Sequence, residues 1–434
     1  MINQNRTWSR NLAMRNWGFR VVVVIVLVGF NLSINPVVGA PAESTATKDN
    51  ASNALATISF ELIDHRIFLP VRLNGTGPFY FILDSGGSSI VTSAVVRELG
   101  LTTYGTFNGV GVGENVVAAA RCTVADVELG GLHFANQKVV TADLSEIKDA
   151  IGFRKFDGII GYELFANFAV GIDFDRREVT LGQPDSFVFN PAVDVAVPMR
   201  LNKTIPVITA EVDGVASTFS IDTGDRWSLT LFGSFVQRHG LMAKYKPEPE
   251  IVTGWGVGGS VPAFVTQVSS LQVGGVDIKS PLTRFPILKK GAFARSDISG
   301  NIGNGILRRF NLVFEYAKKR LVLRKNADFD APDTYDRSGM WLVQEGGHFK
   351  VSSLIKGGPA WQAGLRIGDS ILAIDGRDAS KLFLPAIRDQ FSRPTVSRAT
   401  VTTRVAGVRK TFVLQLRDLI NDKSLASPRS SESG

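Results

Sequence analysis

Phe79-Tyr80-Phe81-Ile82-Leu83-Asp84-Ser85-Gly86 is an apolar strand that runs straight into an acidic turn, and Phe219-Ser220-Ile221-Asp222-Thr223-Gly224 repeats the pattern later in the chain. Asp and Gly are common turn residues, so one such triplet is a weak signal. A carboxylate at the end of a buried strand, however, is costly unless it is hydrogen-bonded or has work to do. Two copies at the same place in two similar units need a common explanation.

The segments from Phe68 to Leu181 and from Ile205 to Leu323 share five markers in order. First comes a hairpin signal, Asn74-Gly75 or Asp213-Gly214, whose positive φ angles suit strand twist. The acidic turn follows. A glycine ladder is third, Gly109-Val110-Gly111-Val112-Gly113 and Gly254-Trp255-Gly256-Val257-Gly258. A strand ending in Gly130-Gly131 or Gly274-Gly275 is fourth. The fifth is Gly158-Ile159-Ile160-Gly161 and Gly300-Asn301-Ile302-Gly303, each followed by a strand pair around a basic turn. The copies lie 138 residues apart at the aspartates and 142 at the fifth marker, 222 − 84 and 300 − 158. Drift of that size is ordinary loop variation, so a duplicated β-rich unit is predicted.

The bulk properties agree. The chain has 434 residues, 43 of them glycine, with 44% hydrophobic and 20% charged residues. That suits a folded, turn-rich protein of two or three domains. The formal charge is +8, and Arg6, Arg10, Arg15 and Arg20 stand at the N-terminus without an acidic residue among positions 1–40. No dense basic run with interleaved aromatics occurs, so nucleic acid is not an expected partner. Those forty residues read as a secretory signal: a basic stretch, the apolar run Val21–Phe30, then small residues to Ala40 and Ala42. The alternative is an uncleaved anchor; either way the expectation is an exported protein, periplasmic or secreted. Cys122 is the only cysteine, so no internal disulfide can form. His65, His133, His239 and His348 are widely spaced and read as surface or turn residues, and no metal or cofactor is expected.

Hydrolysis of a peptide bond without a metal or a nucleophilic side chain needs an activated water, and two carboxylates sharing one proton can supply it. Asp84 and Asp222 are the catalytic candidates. The hydroxyls of Ser85 and Thr223 would bond across to the opposite turn, and Gly86 and Gly224 would let the backbone pass close and donate N–H groups. A Gly-x-Ser-x-Gly elbow is absent, and the glycine ladders lack the dinucleotide-binding spacing.

On these motifs the sequence resembles the two-lobed (pepsin-like) and retroviral-type aspartic peptidases, and most of all the bacterial aspartyl peptidases with a C-terminal PDZ domain. The resemblance implies a mainly β, two-lobed acid-protease fold followed by a PDZ-like α+β domain. It implies a dyad formed within one chain, acting on polypeptide substrates. It puts Gly158, Gly161, Gly300 and Gly303 in strands beneath the active-site turns. Gly109, Gly111, Gly254 and Gly256 would lie in or near flap-like hairpins, with ordinary Gly-rich hairpins as the alternative. One departure stands out. The position after the triplet, usually small, holds Gly87 in the first copy and Asp225 in the second. An inward Asp225 would disfavour dyad ionisation, unless Arg226 neutralises it. It also leaves open a second reading, a catalytically inactive relative that binds peptides.

The expected organisation is a signal at 1–40, a linker at 41–56, lobe 1 at 57–190, lobe 2 at 191–330, a linker at 331–338, the PDZ-like domain at 339–420 and a polar tail at 421–434. Within the last domain, Pro359 suits a helix start, Gly364 its cap and Asp375-Gly376 a hairpin turn, with a second helix across Ser380–Phe391. By resemblance, Gly339-Met340-Trp341-Leu342 is the loop that would hold the carboxylate of a C-terminal peptide; the alternative is a first core strand.

Overall fold

A computed structural model describes residues 54–247, 250–405 and 407–420. The expected signal, most of the first linker and the polar tail lie outside the described residues. The chain is mainly β, with two lobes built alike and a smaller α+β domain after them.

In lobe 1, strands Arg66–Leu73 and Thr76–Leu83 form a hairpin through Asn74 and Gly75, which have the positive φ angles their turn requires. Beside the second strand, in parallel, lies Phe156–Ile160. Next come Ile90–Thr92, Leu132–Ala142, Val117–Leu129 and Thr103–Gly109. Lobe 2 repeats the order: Ile205–Val212, Val215–Asp222, Gly300–Gly303, Leu229–Leu231, Leu282–Pro286, Gly259–Gln267 and Glu250–Gly256.

The repeat reaches further back than the sequence markers. Ala54–Ser59 and Glu61–Ile63 pair with Glu178–Gly182 and Arg66–Leu73, just as the two halves of Asp194–Asn202 pair with Arg320–Lys325 and Ile205–Val212. The strand Ala54–Ser59 thus begins within the stretch expected to be linker. These strands join Ala169–Asp173 and Phe310–Glu315 in an antiparallel platform under both lobes. On it, Phe165 of lobe 1 packs edge-on against Phe314 of lobe 2 at 5.0 Å, inside one apolar core that runs through both. Burying a phenylalanine of this kind contributes about 2–3 kcal/mol, so the two lobes behave as one body.

The last domain has its own core around Phe349, Ile371, Leu384 and Phe391. Its strands are Met340–Glu345, His348–Leu354, Ser370–Ile374, the short Arg377–Asp378, Arg398–Val405 and Val408–Gln415. Pro359 starts the helix Pro359–Ala363, and Gly364 caps it at φ 106°. The second helix runs from Leu384 to Ser392, later than expected, because Pro385 marks its first turn and a 3₁₀ turn at Ala379–Lys381 precedes it. Residues 331–338 form no helix or strand but are tied down. The Asp333 carboxylate accepts from Ser228 Oγ at 2.7 Å, Leu282 N at 2.7 Å and Arg309 Nη2 at 2.6 Å.

Candidate active site

The strands Thr76–Leu83 and Val215–Asp222 each deliver an acidic turn to the seam between the lobes. Ser85 and Thr223 lock the turns together and are fully buried. Ser85 N donates to Thr223 Oγ1 at 3.0 Å, and Thr223 N donates to Ser85 Oγ at 3.1 Å. Ser85 Oγ donates to Ile221 O at 2.9 Å, and Thr223 Oγ1 donates to Leu83 O at 2.7 Å. Each hydroxyl therefore both accepts from and donates to the other lobe. At about 1 kcal/mol per bond the grip contributes a few kcal/mol, and it fixes the separation of the turns.

That separation brings Asp84 and Asp222 within hydrogen-bonding reach of each other. Gly86 N donates to Asp84 Oδ1 at 2.8 Å, and Gly224 N donates to Asp222 Oδ1 at 2.9 Å. Only glycine fits at these two positions. A Cβ on Gly86 would lie 2.7 Å from Asp222 Cγ, and one on Gly224 would lie 2.5 Å from Asp84 Cγ. Burial raises the Asp84 carboxyl above its ordinary range, against the Gly86 N–H. Burial, Asp84 and Asp225 together push Asp222 well above it. Two half-buried acids this close hold one proton between them more readily than none.

The glycines of the fifth marker run beneath. Gly158 pairs with Phe81 and Ile160 with Leu83; Gly300 pairs with Phe219 and Gly303 with Asp222. Gly161 sits under Gly87, whose carbonyl accepts from Tyr162 N at 2.9 Å. The glycine ladders form two hairpin tips that meet. Gly109 ends the strand Thr103–Gly109, Gly111 and Gly113 are in the turn after it, and Gly254 and Gly256 lie in Glu250–Gly256. Gly113 N donates to Val257 O at 3.0 Å and Asn115 N to Gly258 O at 2.9 Å.

Asp225 does turn inward, but Arg226 is not its partner. The counter-ion is Arg284, buried in the strand Leu282–Pro286, whose Nη2 donates to Asp225 Oδ2 at 2.7 Å. Asn301 Nδ2 bridges Asp225 Oδ2 at 2.9 Å and Asp222 Oδ2 at 3.2 Å. Arg226 points away and pairs with Asp64 at 2.9 Å. Arg284 and Asn301 are site residues that motif reading missed, although Asn301 left a trace as the one polar residue in an otherwise apolar motif. Arg66 is another: its Nε donates to Gly224 O at 3.1 Å. His65 is a turn residue, as expected, and half-buried; desolvation, Arg308 and Arg226 hold it near 3, so it is neutral.

In the third domain, Gly339 has φ 72°, but Met340, Trp341 and Leu342 belong to the strand Met340–Glu345, with Met340 and Leu342 buried. Three of the four residues expected in a carboxylate loop thus make the first core strand, because their alternating apolar side chains are needed in the domain core.

A β-rich pair of lobes presenting two closely apposed aspartates at their seam is the acid-protease arrangement. Residues 69–164 match the aspartyl protease family, and residues 350–382 match the PDZ domain. The chain therefore carries an aspartyl protease domain followed by a PDZ domain, with lobe 2 lying between the two matched stretches. No curated protein matches the sequence.

Proposed function

We propose that the protein is an exported aspartic endopeptidase that hydrolyses peptide bonds with a water activated between Asp84 and Asp222, and that its PDZ domain binds peptide. The observation that carries this reading is the reciprocal grip of Ser85 and Thr223, which holds two half-buried carboxyls close together at the seam between the lobes. In the singly protonated pair, the ionised carboxylate takes a proton from water as the oxygen attacks the peptide carbonyl. The protonated partner gives its proton to the carbonyl oxygen. Collapse of the tetrahedral intermediate returns a proton to the departing amine. Gly86 and Gly224 keep side chains out of the space between the acids, and the meeting hairpin tips are suited to close over a bound polypeptide. The leader pattern at 1–40 supports export.

The working form has one proton on the pair, so activity falls at low pH where both acids are protonated and at high pH where both are ionised. Both carboxyls lie above their ordinary 3.8, so the bell should sit above that of two free carboxylic acids. The linkage to stability has a definite sign. Folded values raised above the unfolded one mean that stability falls as pH rises through the interval between them. Cleavage of unfolded casein across pH 3–8 tests the proposal, with fragments identified by mass spectrometry. Wild type should cut internal bonds. Asp84→Asn and Asp222→Asn should each lose at least about a thousandfold in kcat while melting no lower than wild type at pH 7. Wild type inert throughout, or Asp84→Asn as active as wild type, would end the endopeptidase reading.

A further inference from the structure

Building on the dyad reading above, we propose that the PDZ domain positions the lobe-2 catalytic turn: Arg388 acts through Asp64 and Arg66 on the Gly224 carbonyl. Arg388 stands on the PDZ helix Leu384–Ser392, yet it is only 7% exposed and its guanidinium reaches lobe 1 as well as its own domain. Nη1 donates to Ile151 O of lobe 1 at 3.3 Å and lies 3.6 Å from Asp64 Oδ2; Nη2 donates to Leu342 O at 2.8 Å and also to Ala150 O. The guanidinium lies over Trp341 at 4.5 Å, and Trp341 in turn meets Trp255 of the lobe-2 hairpin at 5.8 Å.

Asp64 is the junction. Its side chain is 3% exposed and faces three guanidinium groups: Arg66 at 2.5 Å, Arg226 at 2.9 Å and Arg388. Asp336 is the other acid near Arg388 and Arg226. Burial would raise the Asp64 carboxyl, but the arginines outweigh it and keep the group ionised. Asp64 and His65 hold positive φ angles of 50° and 61°, a strained turn for two residues with side chains. The turn persists because lobe 2 clasps it: neutral His65 donates from Nδ1 to Arg226 O at 3.0 Å, and Asn304 Nδ2 donates to His65 O. From this junction Arg66 reaches Gly224 O, in the triplet that holds Asp222. Its charge also favours ionised Asp84.

Without Arg388, Asp64 is left to two arginines, and Arg66 is drawn toward it and away from Gly224. Through its bond to Leu342 O, Arg388 also ties this clamp to the PDZ strand Met340–Glu345.

The test uses the full chain with Arg388→Met, Arg66→Met and the double variant. Arg388→Lys, which keeps the charge but cannot make the same set of bonds, stands in if Arg388→Met does not fold. Two quantities are read: kcat and KM on a casein-derived peptide, and the titration of the dyad by NMR of ¹³C-labelled aspartate. Arg66→Met should lower kcat about tenfold and move the Asp84 titration upward. Arg388→Met should lower kcat several-fold at unchanged KM and move Asp84 the same way, and the double variant should be no worse than Arg66→Met alone. Wild-type kcat and wild-type dyad titration in Arg388→Met, whatever its melting temperature, would overturn the proposal, as would losses that simply multiply in the double variant. If wild type cleaves nothing but the dyad titration shifts as described, the endopeptidase reading fails and the coupling stands.

Discussion

Beside Asp84, the facing positions Ile90, Val140 and Ile159 carry apolar side chains that pack with Phe107 and Val117. Beside Asp222, the positions with the same strand register hold Thr230, Arg284 and Asn301. There Arg284 Nε donates to Thr230 Oγ1 at 2.8 Å and Nη1 to Thr253 Oγ1 at 3.2 Å, which completes a buried ionic cluster around Asp225. The backbones match and the grip between the turns is reciprocal, but the matching positions are apolar in lobe 1 and polar or charged in lobe 2. Asp222 accepts from Gly224 N, Asp225 N and Asn301, while Asp84 accepts from Gly86 N. Symmetry in the backbone sets how close the two acids come. Asymmetry in the side chains behind them gives the shared proton an unequal pair to sit on.

The two lobes differ most at Arg284. Arg284→Met leaves the Asp225 carboxylate buried without its counter-ion and should cost about 3–5 kcal/mol, read from the urea midpoint. Val140→Ala, at the same place in lobe 1, should cost only about 1 kcal/mol, and Arg284→Met with Asp225→Ser should recover most of the loss. Equal costs at 140 and 284 would show that the cluster is not what separates the lobes. Next in size is the grip itself, where the lobes should behave alike. Ser85→Ala and Thr223→Val each strand buried groups on the other turn and should cost about 2–3 kcal/mol apiece; Thr223→Ser should be near neutral. A difference above about 1 kcal/mol between the first two would mean that the grip is not reciprocal in energy. The smallest effect sharpens the contrast. Asp225 raises both dyad acids, so Asp225→Ser removes a like charge and should move the kcat/KM bell to lower pH by about one unit, or 1.4 kcal/mol. The Arg284 charge left behind pushes the same way. An upward shift would mean that Arg284 and Asn301, rather than Asp225, dominate the field at the dyad.

What the motifs made legible was local. Asp84, Asp222, their hydroxyl neighbours and the paired glycines lie within a few residues of a strand end, and each residue type has a mechanical reason to be there. The first strands of the repeat, Ala54–Ser59 and Asp194–Asn202, escaped because platform strands carry no turn chemistry to recognise. Arg226 was the obvious partner for Asp225 by adjacency. The chain instead sends alternate side chains to opposite sides, and the partner comes from Arg284 on another strand, 59 residues away.

Composition, repeat and turn chemistry were enough by themselves to specify two like β lobes, an aspartate at the end of a strand in each, and a separate small domain after them. Strand periodicity and tight turns are short-range properties, and duplication copies them intact. Tertiary structure alone decided which charges meet: Arg284 with Asp225, Arg66 with Gly224, and a PDZ arginine with a lobe-1 aspartate. Buried charges are held by whatever the folded surfaces bring within a few ångströms, and that proximity is not written in the order of the residues.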